Sequence, residues 1–136
     1  CMFDIDGFKR INDTYGHECG DVVIKEVAAL LKREVRELDC TARWGGEEFL
    51  LLLPETPLEG ARLLAERLRE KVSLLEVIIK NTGISVTMTF GVSTLAAGES
   101  IDRAIDRADG ALYRGKNAGR NRVEVAHHDN QPGHQA

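Results

Sequence analysis

The chain has 136 residues, 43% of them apolar and 29% charged, which suits one globular domain with a single core. A formal net charge of −4 argues against binding nucleic acid by bulk attraction, so a polyphosphate ligand would need local cations or metal. No apolar run approaches the ~20 residues of a membrane helix and no signal-peptide pattern is visible. Cys1, Cys19 and Cys40 are odd in number and form no CxxC pair, which reads as reduced thiols in the cytoplasm.

In chain order, Cys1 to Ile5 is a short apolar run suited to a strand. Ile24, Val27, Ala28, Leu31, Val35 and Leu38 form one helical stripe and predict a helix over 22–38. Cys40 to Trp44, a Gly45-Gly46 turn and Glu47 to Leu53 predict a hairpin, with Trp44 packed at its base. Its second arm is apolar on both faces, as a central strand would be. Thr56 as N-cap, Pro57 and a Glu59 capping box predict the start of the next helix. The alternation of Ile84, Val86, Met88, Phe90 and Val92 predicts one strand with one buried face. It is expected to pair with residues 77–80 through a turn at 81–83. Ser100 is expected to cap a last helix, with Ile101, Ala104, Ile105, Ala108, Ala111 and Leu112 inward, before a strand at 121–125. Residues 127–136, with three histidines, read as a frayed tail.

The order β-α-α-β-β-α-β-β-α-β contains a βαββαβ core. The expected fold is therefore α+β and ferredoxin-like: a mostly antiparallel sheet with helices on one face and an added hairpin. Such a fold hosts many activities, so function must come from the site.

Two clusters carry chemistry. Asp4 and Asp6 point to the same face at the exit of the first strand, a pattern suited to a hard cation such as Mg²⁺, although an isolated Asp-x-Asp is more often a solvated strand end. Glu47 and Glu48 stand side by side at the hairpin tip, where like charges repel unless a cation offsets them. If the strand ends are neighbours, Asp4 and Glu47 could share one ion.

Phe3-Asp4-Ile5-Asp6-Gly7-Phe8-Lys9-Arg10-Ile11-Asn12-Asp13-Thr14-Tyr15-Gly16-His17, followed by Gly20-Asp21, resembles the opening motif of GGDEF domains, the catalytic domains of diguanylate cyclases. Gly45 to Phe49 is similar to their signature loop in its GGEEF form, and Lys116 to Asn121 matches a third segment. The three blocks occur in order and span the chain to about residue 125. The resemblance implies a nucleotidyl-cyclase-like fold and the condensation of two GTP into cyclic di-GMP and two pyrophosphates across a homodimer. It also implies that Asp4, the Ile5 carbonyl and Glu47 ligate Mg²⁺, with Mn²⁺ as an alternative. Glu48 would stand close by in the catalytic loop, and Glu47 would be a ligand, a base or both. Phe8 backbone and Lys9 would hold terminal phosphates of GTP, with Lys116 and Arg120 on the β- and γ-phosphates and Gly45-Gly46 against the nucleotide. Asn12 and Asp21 would read the guanine edge. Asp21 could instead cap a helix, and Lys116 and Arg120 could complement a helix C-terminus. His17 would order the loop beside the nucleotide or satisfy a local hydrogen bond.

Arg36 and Asp39 form an RxxD unit, with five residues between Asp39 and Gly45. On residues alone this is an i, i+3 pair at a helix end. In the family that offset marks a product-inhibition site for cyclic di-GMP, to which Arg67 would add a second arginine. The resemblance implies a domain over 1–126 that is N-terminally truncated, because the family's DxLTGLxNR segment does not precede Cys1. It also implies an upstream sensory or regulatory domain in a parent protein, which could be membrane-anchored. A catalytically silent domain that binds GTP or cyclic di-GMP is the alternative. An RNA-binding sheet would need exposed strand aromatics, and here the strand aromatics occupy buried-pattern positions.

Overall fold

The computed structural model describes residues 1–126, so the expected tail at 127–136 lies outside the described residues. Strand β1 (Met2–Ile5) leads into helices α1 (Phe8–Tyr15) and α2 (His17–Glu34), then the hairpin β2 (Cys40–Gly45) and β3 (Glu48–Leu52). Helix α3 (Leu58–Leu74) follows, then a small hairpin β4 (Glu76–Ile79) and β5 (Thr82–Ser85), strand β6 (Met88–Val92), helix α4 (Ile101–Asn117) and strand β7 (Val123–Val125). Five strands pair in the order β2-β3-β1-β6-β7, antiparallel except for β6 with β7, while β4 and β5 form their own two-stranded sheet.

The centre of the sheet is aromatic. Phe3 is in register with both Phe49 and Phe90, and its ring stacks on theirs at 5.5 and 4.5 Å between centroids. All three are buried with Val27, Leu31, Ala65 and Leu68 of α2 and α3, each valine, leucine or phenylalanine side chain contributing roughly 1.5–3 kcal/mol. Rings packed in this way offer no platform for bases.

Helices cover both faces of the sheet, and the expectation of one face is corrected here. Met2 and Leu50 point away from the aromatic layer and pack against Ala108 and Leu112 of α4. Every residue of β6 is buried, not alternate ones. The reason is close approach: a Cβ at Gly91 would lie 1.9 Å from the Ala108 carbonyl oxygen and 2.5 Å from the Leu112 nitrogen. Small residues that resemble a solvent face let a helix backbone rest directly on the strand.

Other local expectations also shift. The expected strand over 84–92 is broken after Ser85, since Ile84 pairs with Val77 while Met88 pairs with Ile5. Lys80 and Asn81 form the tight turn between β4 and β5, with φ of 50° and 68°. Thr56 does not cap α3: its hydroxyl donates to the Pro54 carbonyl and accepts from Arg36, while Glu59 pairs with Arg62. Trp44 is the residue skipped where the β2–β3 register shifts, and it is 52% exposed, not packed at the hairpin base. Ile101 is exposed, whereas Ser100 caps α4 as expected by accepting from the Arg103 N–H.

Candidate active site

The candidate residues of the strand exit and of the hairpin tip come together where β1 ends. Asp4 is opposite Glu48 in the β1–β3 ladder, so the hairpin tip and the strand exit share one place. Direct cross-strand partners have Cβ atoms about 4.5–5.5 Å apart. Glu47 and Gly46 form the turn between Gly45 and Glu48, which are paired, and Gly46 takes the left-handed φ of 46°. Arg43 holds that turn by donating from Nε to the Gly46 carbonyl at 2.7 Å.

Asp4 is buried, and Lys116 from the last turn of α4 forms an ion pair with its Oδ2. Its Oδ1 is buried with no hydrogen-bond partner among the described residues. Burial pushes the Asp4 carboxyl above the usual range, the Lys116 hydrogen bond and charge pull it down, and the charges of Asp6 and Glu47 push it further up. Burial lowers the Lys116 ammonium, but its hydrogen bond to Asp4 and the charges of Asp4, Glu48 and Glu47 outweigh this and hold it above its ordinary value.

Asp6 has a different task from Asp4. Its carboxylate accepts hydrogen bonds from the hydroxyls of Thr87 at 2.7 Å and Thr89 at 2.6 Å, and from the Asn121 N–H at 3.0 Å. It therefore ties β1 to the turn in which Arg120 and Asn121 both take positive φ, 62° and 49°. Arg69 of α3 holds the same turn through the Asn121 side chain at 2.9 Å. The sequence signal was present in the Asp-x-Asp pair, but only the contacts separate a clamp from a candidate ligand.

Ile5 ends β1 buried, Gly7 at φ 67° opens α1, and Phe8 is buried at its first position with Lys9 exposed beside it. The first N–H groups of that helix lack intrahelical acceptors and suit an anion. Asn12 lies on α1 with its Oδ1 buried and without a partner among the described residues. Gly20 of α2 makes room for it, because a Cβ there would lie 1.8 Å from that oxygen. His17 is the first residue of α2 and Asp21 is exposed one turn further on, so Asp21 does not cap the helix.

Arg36 and Asp39 sit past the end of α2, in a turn closed by the Asp39 N–H on the Arg36 carbonyl, not within the helix. Arg36 reaches both Asp39 oxygens, the Pro54 carbonyl and the Thr56 hydroxyl. Arg67 of α3 donates to the Glu34 carbonyl at 3.0 Å, which brings it to the same end of α2.

The oxygen-only donor set suits a hard divalent cation. The unsatisfied Asp4 oxygen fits one as well. Among the described residues no three His, Cys, Asp or Glu side chains converge on a metal position, so an ion here would be held by two carboxylates, a carbonyl and ligands from outside the chain. A cavity of about 440 Å³ lies elsewhere, around Leu53, Thr56, Leu95 and Ala104, and contains none of these residues.

The family of diguanylate cyclase GGDEF domains matches residues 1–122. The chain belongs to the GGDEF family. Diguanylate cyclase DgcP of Pseudomonas aeruginosa is 46% identical over 125 residues, 92% of this chain and 19% of that protein. Diguanylate cyclase SiaD of Pseudomonas aeruginosa, solved with its activator SiaC, superimposes with a TM-score of 0.89 at 45% identity, over 92% of this chain and 48% of that one. The GGDEF domain of DgcB from Caulobacter crescentus, solved with c-di-GMP, gives 0.87 at 37% identity, over 91% and 74%. The chain spans about a fifth to a third of the length of the curated relatives it matches. In GGDEF terms, the signature residues 45–49 are the tip of β2–β3 and the opening motif is β1 with α1. No helix among the described residues is long and apolar enough to cross a membrane.

Proposed function

We propose that residues 1–126 form a diguanylate cyclase domain that condenses two GTP into cyclic di-GMP with release of two pyrophosphates. One observation carries the reading. Of the three buried side-chain atoms without a partner among the described residues, two, Asp4 Oδ1 and Asn12 Oδ1, belong to the opening motif. Buried polar atoms are nearly always satisfied, so two orphans on adjacent elements point to a ligand that completes them.

A divalent cation, Mg²⁺ or Mn²⁺, held by Asp4, the Ile5 carbonyl and Glu47, would supply Lewis acidity toward the reacting hydroxyl and phosphates. The chain's own residues do the rest. The α1 N-terminus at Phe8, with Lys9, Lys116 and Arg120, holds terminal phosphates, and Gly45-Gly46 leaves the backbone open to the nucleotide. Asn12 and Asp21 read the guanine edge, with His17 beside them. Glu48 keeps the hairpin tip acidic next to Asp4, while Glu47, as metal ligand, base or both, assists loss of the proton from a 3′-hydroxyl. That hydroxyl attacks the α-phosphate of the GTP held by a second copy, and pyrophosphate leaves. The same step in the opposite sense closes the ring. Facing two loaded domains replaces a chance encounter with an oriented one, worth up to about 7–11 kcal/mol. The reaction fits a cytoplasmic domain controlled by an upstream module.

We further infer that Arg36, Asp39 and Arg67 bind cyclic di-GMP and restrain turnover. Arg36 is fixed by its partners yet leaves 51% of its side chain exposed, and Arg67 is at the same end of α2. The deciding experiment is incubation with GTP and Mg²⁺ followed by mass spectrometry of the products. Cyclic di-GMP that disappears in Glu47→Gln is the expected result. Stoichiometric GTP binding with no product would instead favour the silent receptor.

A further inference from the structure

Lys116 holds one oxygen of the carboxylate to which a metal ion is assigned, and leaves the other open. Its Nζ pairs with Asp4 Oδ2, and the Asp4 side chain is 4% exposed against 32% for Lys116. A carboxylate buried so deeply needs a positive partner, and the ammonium is its ion-pair partner. The helix beneath Lys116 is firmly seated, because a Cβ at Gly115 would lie 2.7 Å from Thr89 Cγ2. The lysine stem is long and freely rotating, so the ammonium can leave Asp4 while α4 stays in place.

A divalent ion arriving alone at Asp4 would meet this positive charge within a partly desolvated site, where repulsion is far stronger than in water. A triphosphate removes the conflict by giving both cations enough negative charge. Resting on the assignment of Asp4 to metal and Lys116 to phosphate, we propose that Lys116 is a placeholder cation. It neutralises Asp4 in the nucleotide-free domain, holds bare divalent ions off, and transfers to the phosphates when metal and nucleotide arrive together. Metal and GTP then bind cooperatively, and each raises the affinity of the other by the same factor.

The test is one substitution with two readouts of opposite sign. Bare Mn²⁺ binding, followed through the paramagnetic resonance signal of the free ion without nucleotide, should tighten about tenfold or more in Lys116→Met, the scale of a charged hydrogen bond. GTP binding in EDTA, followed by calorimetry, should weaken in the same variant. General loosening of the fold would weaken both. Lys116→Arg keeps the charge and should bind bare Mn²⁺ as poorly as the parent. Asp4→Asn, combined with Lys116→Met, should erase the gain. Bare Mn²⁺ binding that is unchanged or weaker in Lys116→Met overturns the proposal, and the metal assignment stands if Asp4→Asn still removes Mn²⁺ binding in the presence of GTP. Should Asp4→Asn alter Mn²⁺ binding under neither condition, the assignment itself falls and takes the proposal with it. If circular dichroism shows Lys116→Met unfolded, Lys116→Gln carries the same comparison.

Discussion

Asp4 with Lys116 and Asp39 with Arg36 are both cation–carboxylate pairs, and in both the carboxylate is almost wholly buried, with 4% and 1% of the side chain exposed. At Asp39 both oxygens are bonded, and the neighbouring guanidinium also takes the Pro54 carbonyl and the Thr56 hydroxyl. At Asp4 one oxygen is paired and the other has no hydrogen-bond partner among the described residues. An unfinished buried carboxylate costs free energy that a bound cation returns, whereas a finished one fixes its arginine and presents it to the outside. The first arrangement suits a centre completed by its reactants; the second suits a rigid surface that reads a ligand.

The largest effect should separate the two aspartates outright. Asp4→Asn keeps the shape and removes the charge, so turnover of GTP at saturating Mg²⁺ should fall about 10²–10³-fold, the usual scale for losing one electrostatic element of a reacting site. Pyrophosphate release measures it. Asp39→Asn should leave the initial rate near that of the parent; an equal loss there would erase the distinction.

The reverse asymmetry belongs to Arg36. Arg36→Ala should weaken cyclic di-GMP binding about 30-fold, as expected for an arginine anchor, with the initial rate of the product-free domain preserved. Calorimetric titration with cyclic di-GMP reads the first and pyrophosphate release the second. Unaltered affinity would leave Arg36 as a fastener of the loop at Pro54 and nothing more.

A smaller effect tests the other orphan. Gly20→Ala places a methyl 1.8 Å from the resting position of Asn12 Oδ1, so the amide must turn away from the guanine edge. KM for GTP should rise about fivefold to tenfold, one hydrogen bond's worth, while kcat changes little. A matched fall in kcat with KM unchanged would instead place Asn12 in the transition state.

Much of this was legible in the residues because periodicity and short motifs are local. The stripe Ile24, Val27, Leu31, the presence of the glycine hairpin and the Ser100 cap all follow from neighbours in the chain. The helix nonetheless stops at Glu34 with Leu38 exposed beyond it, and the turn is Gly46-Glu47 where Gly45-Gly46 was expected. What failed depended on contacts between distant segments. Thr89 and Gly91 alternate with the apolar positions of their strand, so alternation alone puts them on an unburied face, and small residues on a strand fit close helix approach just as well. Thr56 satisfies the rule for an N-cap, but Arg36, distant in sequence, claims its hydroxyl. The pairing of Lys116 with Asp4 and the clamp of Asp6 on Asn121 join opposite ends of the chain, and no spacing rule reaches that far. Candidate site residues were therefore easier to name than their resting partners.

The gentlest way to probe the finished pair is pH. The Arg36 hydrogen bond holds the Asp39 carboxyl below the ordinary carboxylate range, while Arg36 stays cationic throughout. An unfolded Asp titrates near about 3.9, so the pair's contribution to stability is fully present above that value. It is lost as pH falls further, through the lowered folded value, because the folded state must then give up a charge that it stabilises. Arg36→Ala removes the cause and lets Asp39 return toward its ordinary range. The stability advantage of the parent over that variant, read from denaturant midpoints, should stay flat from about pH 7 to pH 5 and shrink below about pH 4. Solvent around the guanidinium keeps the advantage small, and added salt should reduce it further. An advantage that grew on acidification would mean that the pair is not what secures this turn, and the contrast with Asp4 would then rest on the unpartnered oxygen alone.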